Sequence, residues 1–197
     1  MSRTGGLWRD APPAPVLARR LLGQVLHSRA GGVRTSGRIV ETEAYLSAGD
    51  PSCHAHRGRT GRNASMFAAA GTAYVYRIYG MHLCFNVASG RTGQGEAVLI
   101  RALEPLEGLD AMAGRRGIEL DGPRGLGNLC SGPGKLAVAL GVTLEHDGHV
   151  LGREPLWCER GVALDPHRVR VDRRIGLGKA EELALRFSER GSAFVSR

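Results

Sequence analysis

Glu41 and Glu43 alternate with Val40 and Thr42 in the run Ile39–Tyr45, which reads IVETEAY. In an extended strand that spacing points both carboxylates, and the ring of Tyr45, to one face. A carboxylate held there can act as a general base on a water molecule. The plainer alternative is a pair of acids on a solvated strand face. Arg101 lies between Ile100 and Ala102 in the apolar run AVLIRAL, the interior of a second strand. A buried arginine needs an acidic or polar partner, and Glu43 is the obvious one.

A second group of residues is aromatic. The chain is only 5% aromatic, yet all four tyrosines fall between Tyr45 and Tyr79, three of them (Tyr74, Tyr76, Tyr79) within six residues. Cores usually take Leu, Ile, Val and Phe, because a buried phenol needs a hydrogen-bond partner. His54 and His56 follow Tyr45 closely, so this stretch reads as a site rather than as core. Asn86 stands on an apolar strand, where a polar residue is unfavourable unless it has a job; the alternative is a satisfied core amide. Cys53, His54 and His56 lack the paired spacing of a zinc site, so no metal is assigned. The segment CSGPGKL is not a nucleotide loop, because Leu129 and Leu136 stand where Gly and Ser or Thr are required. Pro133 and Gly134 opening a helix with Lys135 make an anion site or a capped helix. GLGN at 125–128 and GLGK at 176–179 lack the last glycine of a dinucleotide fingerprint, so no cofactor is expected.

The elements that must position these residues follow from periodicity. Leu17–Leu22 has the spacing of a short helix after a Pro-rich entry. Gln24–His27 and Arg38–Tyr45 read as strands separated by Gly31–Gly32. Asp50–Ala70 is a long polar loop, and long loops in compact domains are usually functional or disordered. Thr72–Tyr79 and His82–Ala88 form a hairpin with a two-residue connection at Gly80–Met81. That register puts Tyr74, Tyr76 and Ile78 on one face and Val75, Arg77 and Tyr79 on the other, with Tyr79 at the tip. Ala97–Leu103 is a further strand, and Leu106–Met112 and Gly134–Leu140 are helices. Strands near Val150 and Val162 and a closing Phe194–Ser196 strand complete an α+β fold on an antiparallel sheet.

At 197 residues one domain is expected, burying roughly 70% of its unfolded surface. No run approaches the roughly 20 apolar residues of a membrane helix. The opening MSRTGGLWRD lacks the apolar segment of an export signal. Four scattered cysteines fit free thiols in a reducing compartment better than a disulfide framework. Charge says more. Lys and Arg total 27 against 19 acids, a net charge of +8, and only Lys135 and Lys179 are lysines. A GC-rich genome would explain arginine in place of lysine but not the excess of bases. Clustered cations that release counterions from phosphates explain the excess, so a DNA or RNA partner is expected.

RIVETEAY, the CHAHRG–RN loop, the hairpin YVYRIYGMHLCFNV, VLIRALEP and LCSGPGKL occur in family order with family-like gaps. Together they resemble the alkyladenine (3-methylpurine) DNA glycosylases, from about Val16 to Ser196. The resemblance implies a single compact domain over residues 1–197, with a curved antiparallel β-sheet core, surrounding helices and a protruding β-hairpin. It implies a monofunctional enzyme that flips an alkylated or deaminated purine out of double-stranded DNA and hydrolyses its N-glycosidic bond, in base excision repair. Flipping is needed because that bond is inaccessible inside the stack. By resemblance Glu43 is the general base and Arg101 helps hold the water and the glutamate. Tyr45, His54 and Tyr76 line the pocket, Asn86 disfavours guanine, and Tyr79 enters the minor groove, where wedges are normally apolar or aromatic. Lys135 and Arg77 are candidates for backbone contacts. The chain departs from the family's usual pattern at His82, Phe85 and Ser188. The implied enzyme is a monomer without metal or cofactor, cytoplasmic and nucleoid-associated. Two alternatives stand beside it, a non-catalytic module that senses lesions and a small RNA-processing enzyme. The Glu43–Arg101 pair argues against the first, since binding alone would not need it, and the Tyr79 hairpin, which suits a duplex minor groove, argues against the second.

Overall fold

A computed structural model describes residues 6–121, 125–178, 180 and 182–196. In chain order the elements are α1 (Ala14–Leu21), β1 (Val25–Ser28), β2 (Thr35–Tyr45), β3 (Ala73–Ile78), β4 (His82–Ser89) and β5 (Glu96–Glu107). They continue with α2 (Leu109–Arg116), α3 (Gly125–Leu129), α4 (Pro133–Leu140), β6 (Gly152–Arg153), β7 (Leu156–Glu159), β8 (Val169–Asp172) and β9 (Arg186–Glu189). The strands form one curled antiparallel sheet in the order β3-β4-β5-β2-β1-β7-β6, with β9 pairing both β2 and β8. This is the expected α+β architecture.

β2 is the centre of the sheet. Along one edge it pairs with β5. Along the other it pairs first with β1, at Thr35–Arg38, and then with β9, at Glu41–Glu43. The change of partner coincides with register shifts between Ile39 and Thr42, where the pairing passes over Val40 on β2 and Arg101 on β5. Bulges of this kind re-aim side chains next to active sites. Here the bulge holds Arg101 beside Glu41 and Glu43.

On either side of the bulge, alternation divides the sheet into two faces. Val75, Phe85, Val87, Val98 and Ile100 join the main core with Leu17, Ala18 and Leu21 of α1 and Leu136 of α4. Thr42 belongs to this face, its hydroxyl donating to the Ala18 carbonyl at 3.0 Å. The opposite face carries Glu43, Tyr45, Tyr74, Tyr76, Cys84, Asn86, Leu99 and Arg101. One sheet therefore builds the hydrophobic core with one side and the candidate site with the other.

Several boundaries differ from the sequence expectation for identifiable reasons. The β3–β4 connection is three residues, Tyr79-Gly80-Met81, because Ile78 pairs with His82. Tyr79 has φ +50°, so it belongs to the turn and not to the strand face of Val75 and Arg77. β5 runs through Pro105, which pairs with Gly37, so α2 begins at Leu109 and not Leu106. No strand forms at Val162, which is 85% exposed, or at Phe194–Ser196, and Val150 makes only an isolated bridge. The closing strand is Arg186–Glu189, where Ser188 is buried and pairs with Glu41. The long loop is pinned by Asn63, whose amide nitrogen donates to the carbonyls of His54 at 2.9 Å and Gly58 at 3.0 Å. Lys179, with the end of the GLGK segment, lies outside the described residues.

Candidate active site

Glu43 is fully buried, and three donors surround its carboxylate. The Tyr45 hydroxyl donates to Oε2 at 2.9 Å, the Ile175 amide donates to Oε1 at 2.8 Å, and Arg101 Nη1 stands 3.3 Å from Oε1. A carboxylate offers about four lone-pair positions, so these donors orient it and leave room for one more. Burial first, and then the adjacent Glu43, push the Tyr45 phenol far above its usual range, so it is the donor in this pair.

Arg101 is 6% exposed and bridges both acids. Its Nε donates to Glu41 Oε1 at 3.2 Å and its Nη2 donates to Ser196 Oγ at 3.1 Å. Glu41, also fully buried, accepts from Arg186 Nε at 2.6 Å and from the Ser196 amide at 2.7 Å. The solvated-face alternative for the two acids is therefore excluded. Glu41 is the hub that ties Arg101 to Arg186 and Ser196, while Glu43 is held by Tyr45, Arg101 and Ile175, which themselves line a cavity.

A cavity of about 620 Å³ lies against this cluster, bounded by Tyr45, His54, Tyr76, Asn86, Arg101 and Ser196. That size suits a small planar ligand. His54 and Tyr76 meet edge to face, with centroids 4.5 Å apart, and Tyr74 packs 5.3 Å from Tyr76. His54 Nδ1 and Tyr74 Oη share a hydrogen bond of 2.8 Å. Desolvation at the cavity wall, with the nearby Arg62 guanidinium, holds the His54 imidazole below its usual value, so it is neutral at neutral pH. Asn86 is 3% exposed, and its amide nitrogen donates to the carbonyls of Tyr74 and Cys84 at 3.1 and 3.5 Å. The His54 ring and the Asn86 amide are each held by a hydrogen-bond partner on the hairpin, so the cavity presents aromatic and polar edges.

At the mouth Tyr79 is 82% exposed and Met81 74%. A non-glycine residue in the left-handed region costs roughly 1–2 kcal/mol, and such strain collects at functional sites. Lys135 also borders the cavity, with its ammonium engaged by Asn128 and Ser131. Arg77 does not border it. It lies on the other side of the hairpin and donates to the Gly80 carbonyl at 3.4 Å. Of the nine residues singled out in the sequence, Arg77 alone is outside the cavity and its buried cluster.

Glu41's hub role, Ile175, Ser196, and the buried pair Asp50–Arg174 went unrecognised in the sequence. Only Glu41 carried a signal, its spacing from Glu43. The others act through backbone amides or through contacts across more than a hundred residues, which no local pattern encodes.

A buried carboxylate behind an aromatic cavity, in a chain of net charge +8 with a tyrosine-tipped hairpin, fits the class that the family match shows, a DNA glycosylase, a hydrolase of N-glycosyl bonds. The methylpurine-DNA glycosylase family matches residues 9–193, and the chain belongs to it. It is 50% identical over 184 residues to a protein of Methanoculleus marisnigri named as a 3-methyladenine DNA glycosylase, with 92% of each chain covered. It is 46% identical to a protein of Encephalitozoon cuniculi named as a DNA-3-methyladenine glycosylase, covering 93% of this chain and 88% of that one. A similarly named protein of Chlorobaculum parvum is 43% identical over the whole of this chain and 91% of its own.

Proposed function

We propose that this glycosylase excises alkylated or deaminated purines, of the 3-methyladenine, hypoxanthine and ethenoadenine class, from double-stranded DNA. The observation that carries the reading is Glu43, a carboxylate held by three donors directly behind an aromatic cavity. In this reading Glu43 accepts a proton from a water that attacks the anomeric carbon on the face opposite the departing base. General-base catalysis is typically worth about 10²–10⁴-fold. Arg101 fixes the orientation of Glu43 and of that water. The negative charge nearby favours an oxocarbenium-like transition state.

Tyr45, Tyr76 and His54 sandwich the flipped base, and a cationic methylated purine gains from an electron-rich ring face. The fixed Asn86 amide occupies space that the 2-amino group of guanine would need. Tyr79 fills the gap left in the duplex, and Lys135 and Arg77 lie where phosphates on either side of the hairpin can reach them. The chain works as one domain and as a monomer, in the cytoplasm with the nucleoid. No described helix is long and apolar enough to cross a membrane.

Duplexes carrying a single 3-methyladenine, hypoxanthine or ethenoadenine test the reading. Incubation should leave alkali-labile abasic sites in at least one of them, with no strand break before alkali. Intact strands in all three would contradict the substrate class. Breaks without alkali would contradict a water nucleophile.

A further inference from the structure

The Asp50–Arg174 pair is buried without exposure on either side chain. Arg174 Nη1 and Nη2 reach Asp50 Oδ2 and Oδ1 at 2.6 and 2.7 Å, and Nη1 also donates to the Ala44 carbonyl at 3.0 Å. Asp50 further accepts the Leu46 amide at 3.1 Å and the Ser52 amide at 3.2 Å. Burial alone would raise the Asp50 carboxyl, but the Arg174 hydrogen bonds and those two amides outweigh it and hold it below the usual carboxylate value.

The surroundings of this pair connect it to Glu43. The Arg174 guanidinium stands 4.6 Å from the centroid of the Tyr45 ring. Tyr45 borders the cavity and Arg174 does not, so the cation backs the ring from the far side. The next residue, Ile175, donates its amide to Glu43 at 2.8 Å. Two of the three donors around Glu43, the Tyr45 hydroxyl and the Ile175 amide, are thus held by one guanidinium.

Stability does not account for such a pair. Replacing a buried ion pair with neutral residues of similar volume is often neutral or stabilising. Arg174 Nε is moreover buried without a hydrogen-bond partner among the described residues, a cost that a purely stabilising pair would not carry.

We propose that Asp50 and Arg174 are positioning residues that hold the Tyr45 ring and the Ile175 amide against Glu43. The proposal rests on Glu43 being the base. Removing the clamp lets the carboxylate and the ring settle elsewhere without emptying the cavity. A misplacement of about 1 Å at a reacting group can reduce the rate about 10²-fold.

The test uses the full chain with Asp50→Asn/Arg174→Gln, which removes both charges and keeps one of the two oxygens that accept the Leu46 and Ser52 amides, and Arg174→Lys, which keeps the charge. Each is compared with wild type in thermal midpoint, lesion-duplex affinity and single-turnover excision by excess enzyme, with active sites titrated. The expected result is a folded double variant whose rate constant falls about 10²-fold while its lesion-duplex affinity falls far less. Arg174→Lys should recover part of the rate. A folded variant with the wild-type rate constant per active molecule overturns the proposal. So does a loss that lies wholly in the active fraction, or a failure of both variants to fold, since either makes the pair structural only. Glu43→Gln separates the two readings: if it stays active, the base assignment fails; if it is inactive while the clamp variants are fast, the clamp alone fails.

Discussion

Arg101→Met removes the cation shared by the two buried acids and keeps most of the side-chain volume. The loss falls unequally. Glu41 retains Arg186 at 2.6 Å and the Ser196 amide at 2.7 Å. Glu43 retains the Tyr45 hydroxyl and the Ile175 amide, but no other cation within ion-pair distance among the described residues. Breaking a buried pair from one side costs about 3–5 kcal/mol, because a charge is left uncompensated. The donors that remain put the expected cost near the lower end, about 3 kcal/mol. In a chain of this size 1 kcal/mol shifts Tm by about 2–4 °C, so the midpoint should fall by about 6–12 °C. Glu43→Gln removes the stranded charge, so the double variant should be more stable than the sum of the single effects by at least about 1.5 kcal/mol. Urea unfolding of wild type, both single variants and the double variant measures this coupling directly. Additive effects would refute the claim that Arg101 compensates Glu43.

Other outcomes follow from the same geometry. Tyr79→Ser should leave the thermal midpoint unchanged, since the ring is 82% exposed, while gel-shift affinity for a lesion duplex falls; unchanged affinity would remove the wedge assignment. Asn86→Ala should open the cavity to guanine and raise release of undamaged guanine from duplex DNA, measured against release of hypoxanthine. His54 and His146 are both held below the ordinary histidine value, first by desolvation and then by Arg62 and His149 respectively. Between those folded values and the unfolded value of about 6.5 the unfolded chain binds more protons, so stability is full above that pH and falls as the pH drops through the window. Urea midpoints at pH 7.5 and 5.5 check the sign, and a midpoint that rises on acidification would contradict it.

The local parts of the site were legible because strand periodicity is local. The alternation in IVETEAY placed Glu41, Glu43 and Tyr45 on one face, and the alternation in AYVYRI placed Tyr74 and Tyr76 together. The hairpin was legible from its glycine, but its length was not. Tyr79 takes a left-handed conformation that side chains other than glycine rarely adopt, and sequence rules assign that role to Gly80. The bulge at Arg101 was hidden because it depends on two strands slipping against each other. Val162 and Phe194–Ser196 read as strands by propensity alone, but strand propensity mostly reflects burial against neighbours. Val162 finds none at 85% exposure. Ser196 is instead used through its amide and hydroxyl. Arg174 and Asp50 are 124 residues apart in the chain, so only the folded sheet could join them.

Single-turnover excision by Glu43→Gln tests the central claim most directly. Glutamine keeps the shape of the side chain and an acceptor for the Ile175 amide, but it cannot take a proton from water. The variant should bind a hypoxanthine duplex about as tightly as wild type and leave no alkali-labile sites in the time wild type needs to finish. Excision at the wild-type rate would show that Glu43 is not the base.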